Sequence, residues 1–129
     1  KLERSHNELI GYYIKDLNKN LELINSVNFC AIEFSCDPNV LKNLAFKAGK
    51  EIENLFLVLC SSFEGKAYVM CYISKNLTES HNINAQNIIK KLGDSIGGTG
   101  GGQSFFATAT GNNISGIKNV INKSREFIN

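Results

Sequence analysis

The stretch Gly97-Gly98-Thr99-Gly100-Gly101-Gly102 leads directly into Gln103-Ser104-Phe105-Phe106-Ala107-Thr108-Ala109-Thr110-Gly111. Glycine loses more backbone entropy on folding than any other residue, so a dense run indicates backbone that needs positive φ or close approach. Glycine richness alone is also typical of a flexible linker. This run is short, however, and it abuts an alternating segment that begins at Phe105, so we predict a structured loop over 97–102. Its bare amides could converge on a phosphate or another anion.

The common phosphate-binding motifs do not fit this run. The pattern G-x-x-x-x-G-K-[ST] requires a lysine, and Gln103 stands after the last glycine instead. The pattern G-x-G-x-x-G must follow a strand and open a helix, whereas here a helix is predicted before the run.

The run resembles the signature G-G-x-G-G-G-R-P-x-x-A-x-x-G-G of the C-terminal domain of alanyl-tRNA synthetase, a domain also attached to DHH-family phosphoesterases. The matching residues are Gly97, Gly98, Gly100, Gly101, Gly102, Ala107 and the closing glycine region near Gly111. Gln103 and Ser104 replace the Arg-Pro of the signature. In the phosphoesterases this loop carries G-G-H, and the run has no histidine, so the resemblance favours the synthetase branch.

Length and composition are those of one ordinary globular domain. The chain has 129 residues, of which 43% are hydrophobic and 20% charged, and no apolar segment is long enough to span a membrane. It starts at Lys1 without a methionine or signal core, so we expect a piece of a longer polypeptide. The net charge of +2 is weak support for nucleic-acid binding. Four cysteines without C-x-x-C spacing predict buried thiols and a cytoplasmic location, with a disulfide pair as the alternative.

A helical arm is predicted over residues 1–26, with the helix running from about Glu3 to Asn25. Its apolar residues follow a 4-3-4-3 spacing: they are Ile10, Ile14, Leu17, Leu21 and Ile24. Two interpretations stay open. The seam either joins two copies of the chain as an oligomerisation surface, or it packs on the core of the same chain.

Residues 27–129 are predicted to form a globular α+β domain. The whole chain would then have a long N-terminal helix followed by a small mixed or antiparallel sheet packed with about three helices. Asp37-Pro38 supplies a helix cap and a first-turn proline. The predicted strands are 29–36, 55–60, 67–73 and 105–110, and the predicted helices begin near Pro38, Asn84 and Ile114.

Three lysines are candidate phosphate contacts beside the glycine run: Lys90 and Lys91 at the end of the preceding helix, and Lys118 on the closing helix. With Gln103 and the five glycines, they form the predicted RNA-binding set. Phe46, which stands among lysines on another helix, either stacks on a base or covers a strand. No arrangement of nucleophile, base or metal ligands is recognisable, and His6 and His81 have no ligand partners at metal spacing. We therefore expect no catalytic residue, no metal and no cofactor in this fragment.

The resemblance implies a tRNA-binding domain of an alanine–tRNA ligase, with aminoacylation and editing in upstream domains. It also implies alanine-specific tRNA and those upstream domains as partners, and a homodimer through the N-terminal helix. One alternative is the substrate-binding half of a DHH-type phosphoesterase. Another is a structural oligomerisation module.

Overall fold

The computed structural model describes the backbone of residues 2–81 and 83–128, and side chains from Ile10 onward. The α-helices of this part are α1 (Leu2–Lys19), α2 (Pro38–Glu51), α3 (Lys75–Ser80), α4 (Ala85–Ser95) and α5 (Ile117–Ser124). The strands are β1 (Glu22–Ile24), β2 (Val27–Glu33), β3 (Leu55–Phe63), β4 (Lys66–Ile73), β5 (Gly98–Gly102) and β6 (Phe106–Gly111). Single 3₁₀ turns flank α5 at Ile114–Gly116 and Arg125–Phe127.

All six strands belong to one sheet, in the order β1-β2-β3-β4-β6-β5. Strands β2 and β3 run parallel, with α2 as the crossover between them, and the other pairs are antiparallel. The predicted mixed α+β architecture is confirmed; after α1, the described part of the chain has four α-helices where about three were predicted. Over the described ranges, no helix is long and apolar enough to cross a membrane.

Each face of the sheet carries its own apolar core. Strand β3 is buried on both faces: Leu57 points into the core under α1 and α2, and Val58 points into the core under α4 and α5. This explains the continuous apolar run of β3, because a strand covered on both faces has no solvent side that needs polar residues. The predicted Asp37 cap is also confirmed, since its carboxylate accepts a hydrogen bond from the Asn39 N–H at 2.7 Å.

The prediction of one helix from Glu3 to Asn25 is wrong at its C-terminal end. Helix α1 stops at Lys19, and Glu22–Ile24 turns back to pair with β2 as an antiparallel hairpin. The two-residue turn is Asn25-Ser26, with φ of 51° and 68°, the left-handed backbone that tight hairpins require. The 4-3-4-3 spacing therefore extends from the helix into a strand.

The predicted oligomerisation seam is divided between three environments. Ile10, Ile14 and Leu17 are buried against α2 in the core of the same chain, and Leu21 packs at the margin of that core. Ile24 lies in β1 and packs against the core on the other face of the sheet. For the three helical members, the structure thus gives the core-packing interpretation.

The predicted loop over 97–102 is also wrong, because Gly98–Gly102 forms the edge strand β5. Helix α4 ends as expected: Gly97, just past the C-cap residue Ile96, has a φ of 64° and reverses the chain direction. The glycines that follow then pair with β6 over their whole length.

The four cysteines, Cys30, Cys36, Cys60 and Cys71, are free thiols and all are buried. Burial raises the pKa of Cys30 from 9.0 to about 12, and a weaker effect of Glu22 adds to it. Burial likewise raises the pKa of Cys60 and of Cys71. The predicted buried thiols are confirmed, and the disulfide alternative is wrong.

These pKa shifts predict alkaline destabilisation. Because the unfolded chain releases its thiol protons near pH 9 while the folded chain retains them, the free energy of unfolding should fall as pH rises from about 9 toward 12. At pH 10, Cys30 alone should lower the free energy of unfolding by about 1 kcal/mol relative to its value below pH 9. Urea unfolding at pH 8 and pH 10 under reducing conditions measures the fall, and Cys30→Ala should make it smaller. An equal fall in both proteins would contradict the assignment to this thiol.

Candidate functional site

The edge strand β5 pairs so closely with β6 that side chains are excluded at alternate positions. A Cβ on Gly100 would lie 1.9 Å from the Thr108 carbonyl oxygen and 2.6 Å from the Ala109 Cα. A Cβ on Gly98 would lie 2.0 Å from the carbonyl oxygen of Thr110. At Gly101, by contrast, a Cβ would meet nothing within 4 Å. A Cβ on Gly102 would lie 2.5 Å from the Phe106 carbonyl oxygen. Three of the glycines, Gly98, Gly100 and Gly102, are therefore required by contact with the neighbouring strand, and Gly101 is not.

Strand β5 presents backbone groups to solvent along its outer edge. The turn into β6 closes with the Gln103 N–H donating to the Phe106 carbonyl oxygen at 2.8 Å. Since hydrogen-bonded and non-hydrogen-bonded pairs alternate in an antiparallel ladder, the pairs of Gly100 with Ala109 and Gly102 with Ala107 are of the second kind. The N–H and C=O groups of Gly100 and Gly102 therefore point away from β6.

A groove of about 450 Å³ lies between the first half of α2 and the β5–β6 hairpin. Lys42 and Phe46 line it from α2, and Gly102, Gln103 and Phe106 line it from the hairpin. The Phe46 ring packs at 4.7 Å from the Phe106 ring, centroid to centroid. Among the described residues that line the groove, Lys42 is the charged one. We call this cavity the α2 groove; it combines a cation, exposed aromatic surface and bare backbone.

The three lysines predicted beside the glycine run lie on the other face of the sheet. Lys90 and Lys91 are exposed on α4, which packs on the sheet face opposite α2, and Lys118 is exposed on α5. Consecutive helical residues point about 100° apart. Lys90 and Lys91 therefore point in different directions. The Lys91 Nζ lies over the C-terminal segment, 5.7 Å from the centroid of the Phe127 ring. The structure therefore brings none of the three into the α2 groove.

Phe46 and its lysine neighbours on α2 are recognisable in the sequence, but the contact of Phe46 with Phe106 on β6 is not. The available signal was the spacing of Lys42, Phe46 and Lys50, which places all three on one side of α2. Nothing in the sequence showed that Phe106 would meet them. In the described part of the chain, no three His, Cys, Asp or Glu side chains are grouped closely enough to hold a metal ion.

The family model described as the DHHA1 domain matches residues 23–129. The chain therefore belongs to the DHHA1 domain family. It is 42% identical over 123 residues to the alanine–tRNA ligase of Christiangramia forsetii, covering 89% of this chain and 14% of that protein. It is 36% identical over 132 residues to the alanine–tRNA ligase of Flavobacterium psychrophilum, covering 99% of this chain and 15% of that protein. The resemblance drawn from the glycine run is thus confirmed.

Solved structures share the fold of this chain. The C-Ala domain of Aquifex aeolicus alanyl-tRNA synthetase superposes with a TM-score of 0.75 at 20% identity, covering 84% of this chain and 96% of that domain. A DHH-domain protein described as a member of a family of ribosomal proteins gives 0.55 at 16% identity, covering 92% of this chain and 30% of that one. At these identities the likeness concerns the fold alone.

Proposed function

We propose that this DHHA1 domain is the C-terminal tRNA-binding domain of an alanine–tRNA ligase, which docks alanine tRNA for aminoacylation and editing by other parts of the enzyme. In this proposal the domain itself supplies no catalytic group and needs no cofactor. Its partners are the tRNA and the other domains of the same chain. The observation that supports it most is the α2 groove, where Lys42, Phe46 and the end of β5 at Gly101–Gly102 border one cavity.

These features suit RNA for separate physical reasons. Phosphate attraction dominates the affinity of proteins for nucleic acids, and Lys42 supplies a cation with no carboxylate among the described groove residues. Unstacked bases bind on aromatic faces, and Phe46 and Phe106 offer such faces at the groove wall. The outward amide of Gly102, at the groove, can donate to a phosphate oxygen or to a 2′-hydroxyl group.

Lys42→Ala should weaken the binding of alanine tRNA about fivefold at low salt, and should reduce the slope of log K against log salt by about one. Lys47→Ala is the matched control, because Lys47 lies on the same helix outside the groove and pairs with Glu51 at 3.3 Å. It should change neither value. Fluorescence anisotropy across a salt series measures both. Equal effects of the two substitutions, or no effect of Lys42→Ala, would contradict the placement of RNA in the α2 groove.

Lys90, Lys91 and Lys118 stay a proposal for phosphate contact on the other sheet face. Their single alanine substitutions belong in the same salt series. If they weaken binding while Lys42→Ala does not, the RNA lies across α4 and α5 instead of the α2 groove.

Two further parts of the proposal concern the setting of the domain. A cytoplasmic location agrees with four free buried thiols, since reducing compartments keep cysteines in this form.

Self-association through the N-terminal helix stays a prediction. It receives little support from side chains that already pack inside the chain, such as Leu17.

A further inference from the structure

We propose that the α2 groove is one end of a longer track, which takes about four or five successive unpaired nucleotides of the RNA along α2. The other end is a second basic cavity beside Lys50 and Lys75. This inference rests on the proposed function, because it specifies which kind of RNA segment the domain holds and where.

The second cavity, of about 440 Å³, lies at the C-terminal end of α2. Lys50 reaches it from α2 and Lys75 from the start of α3, and Tyr72 forms part of its wall. The Tyr72 ring lies directly on the backbone of α2, because a Cβ on Gly49 would come within 2.2 Å of the ring carbon Cζ. Glu53 contributes a carboxylate to the lining, so the two lysines leave the cavity with net positive charge.

Aromatic rings connect the two cavities. Phe46, which lines the α2 groove, packs edge-on against Tyr72, with 6.0 Å between ring centroids and an interplanar angle of 85°. It also meets Phe106, the residue paired with Tyr72 on the neighbouring strand. All three side chains are only partly buried, so ring surface is exposed between the cavities. A second link runs below, where the Lys75 Nζ lies 5.2 Å from the centroid of Phe105, a residue of the α2 groove.

The order of groups along the track is cation, aromatic rings, cations. Nonspecific single-strand binders combine these two elements, since lysines follow the phosphates and aromatic faces stack the bases. An A-form duplex keeps its base faces stacked inside the helix, so the exposed rings would have no partner on it. An extended peptide would make no use of three lysines unless it were strongly acidic. The chemistry therefore favours unpaired RNA.

The length of the track limits the number of nucleotides. From Asn39, at the start of the α2 groove, to Lys50 there are eleven helical steps, or about 16 Å. Stacked nucleotides rise about 3.4 Å each along a strand, so about four or five fit. We therefore expect affinity to increase with oligonucleotide length up to about five nucleotides and then level off.

The test measures the anisotropy of labelled oligoadenylates of two to ten nucleotides at low salt with the 129-residue protein. Phe46→Leu should weaken the pentanucleotide complex about tenfold through lost stacking, and Lys50→Gln about threefold through one lost phosphate contact. Lys47→Gln, on the same helix but outside both cavities, should have no effect. A 2-aminopurine base in the oligonucleotide should be quenched by the wild-type protein and not by Phe46→Leu. Circular dichroism checks the folding of each variant. Phe46→Tyr keeps an aromatic face and should bind the pentanucleotide as the wild type does; it provides the test if Phe46→Leu is unfolded.

Different results would contradict the single-strand track and the proposed tRNA binding. If alanine tRNA binds but pentaadenylate does not, the single-strand track is wrong and tRNA binding stands. If neither RNA binds, both are wrong. If an A-form RNA duplex or poly-glutamate competes for the site as well as the oligonucleotide does, the site recognises charge alone and the inference is overturned. An equal loss of pentanucleotide affinity with Lys47→Gln and Lys50→Gln would also overturn the inference.

Discussion

Gly100→Ala is expected to lower the free energy of unfolding by about 3 kcal/mol, whereas Gly101→Ala should change it by no more than about 0.5 kcal/mol. The two glycines are neighbours in β5, yet a Cβ at Gly100 would lie 1.9 Å from the backbone oxygen of Thr108 and one at Gly101 would have no neighbour within 4 Å. Backbone cannot move aside as a flexible side chain can, so Gly100→Ala must separate β5 from β6. Urea denaturation of the two variants gives the comparison.

Amide hydrogen exchange locates the damage from Gly100→Ala. Protection should be lost first in β5 and along the adjoining edge of β6, while β3 in the centre of the sheet retains it. Because β5 forms one wall of the α2 groove, RNA affinity should fall with Gly100→Ala. Similar stability of the two variants would mean that β5 lies farther from β6 than the 1.9 Å approach of a Gly100 Cβ to the Thr108 carbonyl oxygen implies.

Leu17→Ala should destabilise the isolated chain by about 3 kcal/mol, because Leu17 is completely buried in the core between α1 and α2. Leu23→Ala is the control: the same substitution in β1, where the side chain is 75% exposed, should cost less than about 0.5 kcal/mol. Thermal unfolding at two protein concentrations measures the difference.

The same pair of variants separates core packing from an interface. If Leu17 acts within one chain, its effect is independent of protein concentration. Should Leu17→Ala instead leave the monomer stable and shift only the sedimentation profile, the residue would belong to a contact between copies, which is the other interpretation of the 4-3-4-3 spacing.

Much of the architecture was predictable because it depends on local chemistry. Asp37-Pro38 starts α2 through a side-chain cap and a preset φ, and Asn84 starts α4 through its side-chain oxygen, which accepts from the N–H of Gln86 at 2.9 Å. The apolar runs of β3 and β4 identify buried strands. The glycine signature also sufficed for the family, since the pattern of residues itself is the evidence.

The errors share a different cause. Leu21 and Ile24 continue the helical spacing of Leu17, but Asn25-Ser26 adopts left-handed backbone and pairing with β2 replaces the helix. Short segments have nearly balanced local preferences, so a hairpin partner decides their conformation.

The sequence by itself determined the family, the mixed α+β class, the capped helices α2 and α4, and the burial of all four cysteines, because each follows from local pattern, local hydrogen bonding or the partition of apolar groups from water. Only the tertiary structure decided that the glycine run is a strand, that Lys90 and Lys91 lie on the face opposite the α2 groove, and that Phe46 meets Phe106. The physical reason is that glycine has no conformational preference of its own, so contact with the β6 backbone sets its geometry. Likewise, a side chain's partners across a sheet depend on strand order, which no local spacing encodes.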